Sequence, residues 1–423
     1  MSTVGRDTPV GRRPKSLQPQ AGRAAGAAVN RGLQSWRHCG VLLLVWAAAG
    51  PKLIAAGLPA KARIQELFAE VASIAQLPVE RPVRYEALDW RRLREDLDRR
   101  VRRSAKESEI RDEELALKWL GLVPPEFNLR ESTVDLLTEQ AAAFYDYRKR
   151  RLVLLENPLG EYEDSVIAHE LAHALADQHF RIGRYMRGRG RTDDAVMARL
   201  AVVEGQASWL MTEMELRRQK RGSLFTDSSL LPSGSAVETG RSFGFPVLEK
   251  APLYLRASLL FPYWEGARFQ AAVVQRAGRD AFRRVFEQPP TTTQQILHPE
   301  LYWEGRGAEE VQLPKWTGGR SRVVSAGVLG ELDFLILFQL ADVSDARSLA
   351  ARWRGSRYEV RERGRACCAV RVSSLWREEA DAAIVAVIWR RWVEQKAWRG
   401  QLKVTRTGRR VDAVEGEEYL QPK

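Results

Sequence analysis

Five histidines occur in this chain, and three of them, His169, His173 and His179, fall within eleven residues. The first two close the pentapeptide His169-Glu170-Leu171-Ala172-His173, an HExxH pattern. On an α-helix, residues at i and i+4 project about 40° apart, one turn along the axis. Two imidazoles at that spacing can grip a single cation, and Glu170 beside them can take a proton from a water that the cation activates. Zinc suits such donors, and it lowers the pKa of bound water toward about 7. With so few histidines, chance produces the pattern in on the order of a few per thousand chains. Val166, Ile167, Leu171, Ala172, Ala174 and Leu175 make the surrounding segment almost wholly apolar. Burial of two histidines and a glutamate there demands partners, and a metal supplies one.

Two residues compete for the third ligand position. His179 follows His173 by six residues, as in HExxHxxGxxH, where a glycine turns the chain back toward the ion. Ala176 occupies that glycine position, and alanine disfavours a positive φ. If the helix continues, six residues rotate His179 by about 240° and carry it about 9 Å along the axis, away from the metal. Glu204 is the stronger candidate. Val196, Leu200, Val203, Ala207, Met211 and Met214 form an apolar stripe at helical spacing, and Glu204 falls within it. A carboxylate in such a stripe is costly unless paired, and Gly205 beside it permits another helix to come close. Histidine, histidine and glutamate form a common zinc donor set.

These residues need elements to hold them, and the pattern predicts an α+β, mostly helical chain. Residues 1–60 form a basic arm followed by a signal peptide or membrane anchor. Residues 61–140 read as a helical region, in which Ile64, Leu67, Phe68, Val71 and Ile74 recur at helical spacing and Pro78 and Pro82 interrupt. A catalytic region over 141–315 opens with a β-hairpin, Ala143 to Tyr145 and Leu152 to Leu155 flanking a polar turn. A helix from about Tyr162 to Phe180 carries the histidines. Gly183 to Gly190 reads as a basic loop, and Thr192-Asp193-Asp194 as the N-cap of a long helix reaching about Lys220. Residues 222–245 read as loop, and helices return over 252–286. Residues 316–400 form a smaller α+β region, and 401–423 a loose polar tail.

Composition narrows the classes. The chain carries a net charge of +13, of which residues 1–37 supply seven basic residues against the single acid Asp7. The basic excess suits attraction to an anionic membrane or cell-wall surface, and no recognised nucleic-acid motif accompanies it. Cys39 and the vicinal Cys367–Cys368 offer neither a disulfide framework nor a cysteine metal site. The apolar run Val41 to Ala49, after a basic flank, is too short to span a bilayer by itself. It fits a secretory signal, with export to the periplasm or exterior as the expectation, or a retained anchor within residues 41–60.

The run His169 to Phe180, HELAHALADQHF, followed by Val203-Glu204-Gly205-Gln206-Ala207, resembles the gluzincin side of the zincin metallopeptidases. It is most similar to a poorly characterised set of bacterial and archaeal metallopeptidases, many of them exported, in which HELTHALQDQHF precedes an acidic VEG-x-A helix. Phe261-Pro262-Tyr263 with Gly266, and Pro289 to Pro299 against the usual PPxSTEQxLHP, extend the likeness, which covers roughly residues 140–390. The resemblance implies a zincin fold, Zn2+ held by His169, His173 and Glu204, Glu170 as general base, and a peptide or protein substrate. His298 or Tyr263 would donate to the developing oxyanion, and the hairpin would receive substrate by strand addition. The chain departs from the pattern in places. Gln294 replaces a usual Glu, and Ser208 stands where thermolysin-like enzymes carry an aspartate that orients a histidine, with Asp177 a substitute for that role. Such a site polarises any amide carbonyl, so a zinc hydrolase of non-peptide amides in the cell envelope and a non-catalytic scaffold are the rival readings.

Overall fold

The computed structural model describes residues 42–43, 61–104, 106–140, 143–156, 164–187, 192–234, 245–316, 320–363, 367–395 and 402–415. Helices dominate and two small sheets accompany them, so the chain is α+β. A two-residue strand β1 (Leu42–Leu43) precedes α1 (Lys61–Ala75), β2 (Arg84–Asp89), α2 (Trp90–Ser104), α3 (Glu107–Trp119) and α4 (Leu129–Gln140). The hairpin β3 (Ala143–Asp146) and β4 (Arg151–Glu156) follows, close to its predicted bounds. The first sheet runs β1-β3-β4-β2, with β2 parallel to β4 and the other pairs antiparallel. Both outer edges of the hairpin are therefore taken: Leu42 lies opposite Tyr145 along β3, and Arg84 opposite Arg151 along β4.

β2 corrects the helical reading of residues 61–140. Its partner β4 lies more than sixty residues away in sequence, and its residues are mostly half-buried. An edge strand of this kind carries little of the alternation by which strands are recognised locally.

Next comes α5 (Asp164–Phe180), apolar on nearly every face and buried from Val166 to Asp177. A helix without a polar face belongs inside a protein, and α5 lies against α1, β3 and α7. It ends at Arg181, whose φ of 53° is left-handed. The chain then forms α6 (Ile182–Met186), so the first part of the predicted Gly183–Gly190 loop is helical, while 188–190 lie outside the described residues. The long helix α7 (Asp193–Arg218) begins as expected, with the Thr192 hydroxyl accepting from the Ala195 amide at 3.1 Å.

After α7 the chain passes a short 3-10 turn at Ser228–Leu230 and reaches α8 (Pro246–Lys250) and α9 (Leu253–Ala277), which runs through Pro262. Then follow α10 (Ala281–Glu287), α11 (Thr293–Leu297) and α12 (Pro299–Trp303). α7 and α9 meet where glycine faces glycine. A Cβ on Gly205 would overlap the main chain of Gly266, and one on Gly266 would overlap the Ala201 carbonyl. The close approach anticipated at Gly205 is thus to α9.

The remaining elements are β5 (Arg322–Gly327), α13 (Glu331–Leu340), α14 (Ala346–Ala350), β6 (Trp353–Arg363), β7 (Cys367–Trp376), α15 (Glu379–Gln395), β8 (Leu402–Thr407) and β9 (Arg410–Glu415). Their sheet is antiparallel in the order β5-β6-β7-β9-β8. Residues 402–415, expected to be a loose tail, form its β8–β9 edge hairpin, and Val411 and Ala413 reach the core. That core is continuous, from Ile64 on α1 through α5, α7 and α9 to Ala413 on β9. Apart from Leu42–Leu43, the segment read as signal or anchor lies outside the described residues. Among those residues no helix is long and apolar enough to cross a membrane.

Candidate metal centre

His169 and His173 project from α5 on one side, as their spacing requires, and their rings meet edge to face with centroids 4.7 Å apart. Both are buried, as is Glu170 between them. One donor atom from each of these three residues lies within 4.8 Å of the others. Glu204 enters from α7, and its Oε2 lies 3.2 Å from His169 Nε2 and 3.3 Å from His173 Nε2. A single carboxylate oxygen thus faces both imidazoles at once. Two ligands of one tetrahedral zinc, at bond lengths of about 2.0–2.2 Å, stand about 3.3–3.5 Å apart. Glu204 Oε2 stands close to that spacing from each imidazole nitrogen.

The polar bookkeeping of the cluster also suits a cation. Glu170 Oε1 is buried without a hydrogen-bond partner among the described residues, and His173 Nε2, though 3.3 Å from Glu204 Oε2, makes no well-aligned hydrogen bond. Orphaned donors and acceptors of this kind are rare in folded proteins, and a divalent ion would engage the nitrogen. Burial pushes His169 down to about 4. At neutral pH its ring is therefore uncharged and has a lone pair to offer a metal. Burial works against ionisation of Glu204, but the neighbouring imidazoles overcome it and hold the carboxyl at about 2. Burial, with the Glu204 charge second, drives Glu170 the other way, well above the ordinary carboxylate range. The two carboxylates are thereby set apart: Glu204 a committed anion, Glu170 a group with a strong tendency to hold a proton.

Glu170 is oriented by β3, whose Tyr145 amide donates to its Oε2 at 2.7 Å. Tyr263, from α9, stacks on His169 with ring centroids 5.9 Å apart and an interplanar angle of 26°. Three helices, α5, α7 and α9, therefore converge with one strand on the cluster.

The other expected residues have partners of their own. His179, two residues beyond Asp177 on an uninterrupted α5, binds the Pro78 carbonyl through Nε2 at 2.8 Å. The absence of a glycine turn at Ala176 sends it away from the ion, as the helical geometry requires. His298 pairs with Glu331 at 2.9 Å and lies 3.7 Å from Glu300. The Glu331 hydrogen bond raises its pKa against the opposing effect of burial. Asp177 does not serve a histidine; it accepts from the Tyr145 hydroxyl at 3.1 Å and from the Ile182 amide at 2.9 Å. Tyr145 is the residue that the sequence did not single out, since nothing in the hairpin pattern distinguishes it from its apolar neighbours.

No protein-family model matches the chain, and neither does any curated protein or solved structure. The chemistry of the site rests on its own geometry.

Proposed function

We propose that this protein is a zinc-dependent peptidase, with His169, His173 and Glu204 holding the ion and Glu170 acting as general base. The observation that carries the reading is the single Glu204 oxygen at ligand spacing from both Nε2 atoms, beside a buried Glu170 with one uncommitted oxygen. Bound there, zinc would supply Lewis acidity, polarising a carbonyl and making a water acidic enough to lose its proton near neutrality.

The chain's own groups do the rest. Glu170 Oε1 takes the proton of the attacking water while Oε2 stays fixed by the Tyr145 amide, and it later delivers that proton to the leaving amine. Burial raises the proton affinity of Glu170, the direction that favours a carboxylate accepting a proton from water. The Tyr263 hydroxyl, on a ring braced against His169, donates to the developing oxyanion. An extended peptide binds along β3, in the place that Leu42–Leu43 takes in this structure.

Glu170→Gln is the deciding variant. It should retain one zinc per chain and lose peptide hydrolysis by about a thousandfold. Protein that purifies without stoichiometric metal, or wild type with no activity that the variant lacks, removes the reading.

A further inference from the structure

One carboxylate on α5 has no part in the chemistry above, yet it is among the best-held groups in the molecule. Asp177 follows Glu170 by seven residues. Two helical turns return it to nearly the same face, about 10 Å along the axis. A single residue of β3 meets both. The Tyr145 amide donates to Glu170 Oε2 at 2.7 Å, and the Tyr145 hydroxyl donates to Asp177 Oδ2 at 3.1 Å. The remaining oxygen of Asp177 accepts the Ile182 amide, the first of α6, at 2.9 Å. All three side chains are buried. Burial, then the Asp177 charge, raises the Tyr145 phenol, so it remains a donor at any physiological pH. Burial raises the Asp177 carboxyl above the ordinary carboxylate range, against the Tyr145 and Ile182 hydrogen bonds and the weaker pull of Arg150 and Arg81.

We propose that Tyr145 and Asp177 form a two-point strap that positions Glu170 for proton transfer. This inference rests on the peptidase reading. β4 and β1 hold β3 along its sheet, but a single hydrogen bond from a strand amide fixes only one point of this four-residue strand on α5 and leaves it free to pivot there. The second anchor removes that freedom. Asp177, itself fixed by the main chain at the start of α6, holds the phenol. The phenol sets the register of β3 on the helix, and that register holds the amide against Oε2. Oε1 is then the oxygen presented to the water. The side chains of both act on Glu170 through β3 and not on the reacting atoms, so both are positioning residues.

The test uses the full chain loaded with zinc, as Tyr145→Phe, Asp177→Asn and Asp177→Ala. Misplacement of a reacting group by a fraction of an ångström is felt in turnover. Tyr145→Phe should therefore lower kcat about tenfold, with KM changed less than twofold and zinc stoichiometry intact. Asp177→Asn, which keeps an acceptor, should lose less than Asp177→Ala. His179→Gln, at the end of the same helix but bound to Pro78, should leave kcat unchanged. Amide exchange read at Tyr145 should accelerate in Tyr145→Phe and Asp177→Ala, while amides of α7 keep their protection. Wild-type kcat in Tyr145→Phe overturns the proposal, and so does a variant that loses zinc and KM in step with kcat. If the wild type hydrolyses no peptide, the catalytic reading falls, and exchange still decides the strap. Unchanged protection at Tyr145 in Asp177→Ala refutes it, and lost protection sustains the anchoring of β3 to Glu170.

Discussion

Glu204 faces both imidazoles with one oxygen, and its removal should be felt at the proposed metal before it is felt anywhere else. Loss of outer hydrogen-bond partners to a ligand typically weakens metal binding by about 10–100-fold. Loss of the ligand itself in Glu204→Ala should exceed about 100-fold, measured by competition with a chromophoric chelator. Tyr263→Phe separates packing from chemistry. The ring can still stack on His169, so zinc should stay, while turnover falls about 10–100-fold as an oxyanion donor is lost. At this scale much was legible. The i, i+4 histidines and a carboxylate stranded in an apolar stripe both betray themselves by cost, because neither belongs in a core without a partner. His298 did not: its partner Glu331 is thirty-three residues on and joined by no periodicity. Asp177 was visible as a carboxylate near the site, but only the fold shows that a strand residue, rather than a histidine, claims it.

The helices set how closely these residues meet. Gly205 and Gly266 bring α7 and α9 into main-chain contact beside Glu204. Gly205→Ala must push the helices apart, at a cost of about 1–3 kcal/mol or more for overpacking, and should loosen the metal with them. Gly278→Ala is the contrast. It has open space but φ 58° and ψ −139°, a backbone that glycine alone adopts readily, and should cost about 1–3 kcal/mol in strain with no effect on metal affinity. The start of α7 carries a second sensitivity. Asp194 is buried, and burial first, with the Asp333 charge, raises its pKa from 3.8 to about 7 against the Thr293 hydrogen bonds. The folded chain thus holds this proton more tightly than the unfolded one. The associated stability is complete below about pH 4 and is lost as pH rises through 7. Asp194→Asn should flatten this decline, by on the order of 3 kcal/mol between pH 4 and 8, in denaturant titrations. Element by element, strong local signals were read correctly, such as the Thr192 cap and the hairpin around Asp146. β2 and the β8–β9 hairpin were missed because distant partners, β4 and β7, make them strands.

Among the described residues a large apolar cluster joins α1 to β9, and a smaller one lies between α2, α4 and the hairpin. Polar ties reinforce the join. Arg322 binds Asp112 and Glu362 at 2.6 Å each, and Arg111 reaches Glu362 at the same distance, so α3 is clamped to β5 and β6. Truncation before Leu402 should therefore not release a dispensable tail. It strips β7 of its neighbour β9 and bares a long edge, and the expected outcome is aggregation, scored by light scattering. The proposed zinc donors come from two helices, thirty-five residues apart between His169 and Glu204. An unfolded chain cannot bring them together, so occupancy is linked to the native state. Free zinc at a hundred times its dissociation constant would then raise unfolding free energy by about 2.7 kcal/mol. Chelator would act on this protein as a mild denaturant, and the melting temperature would become a gauge of how much zinc its surroundings contain.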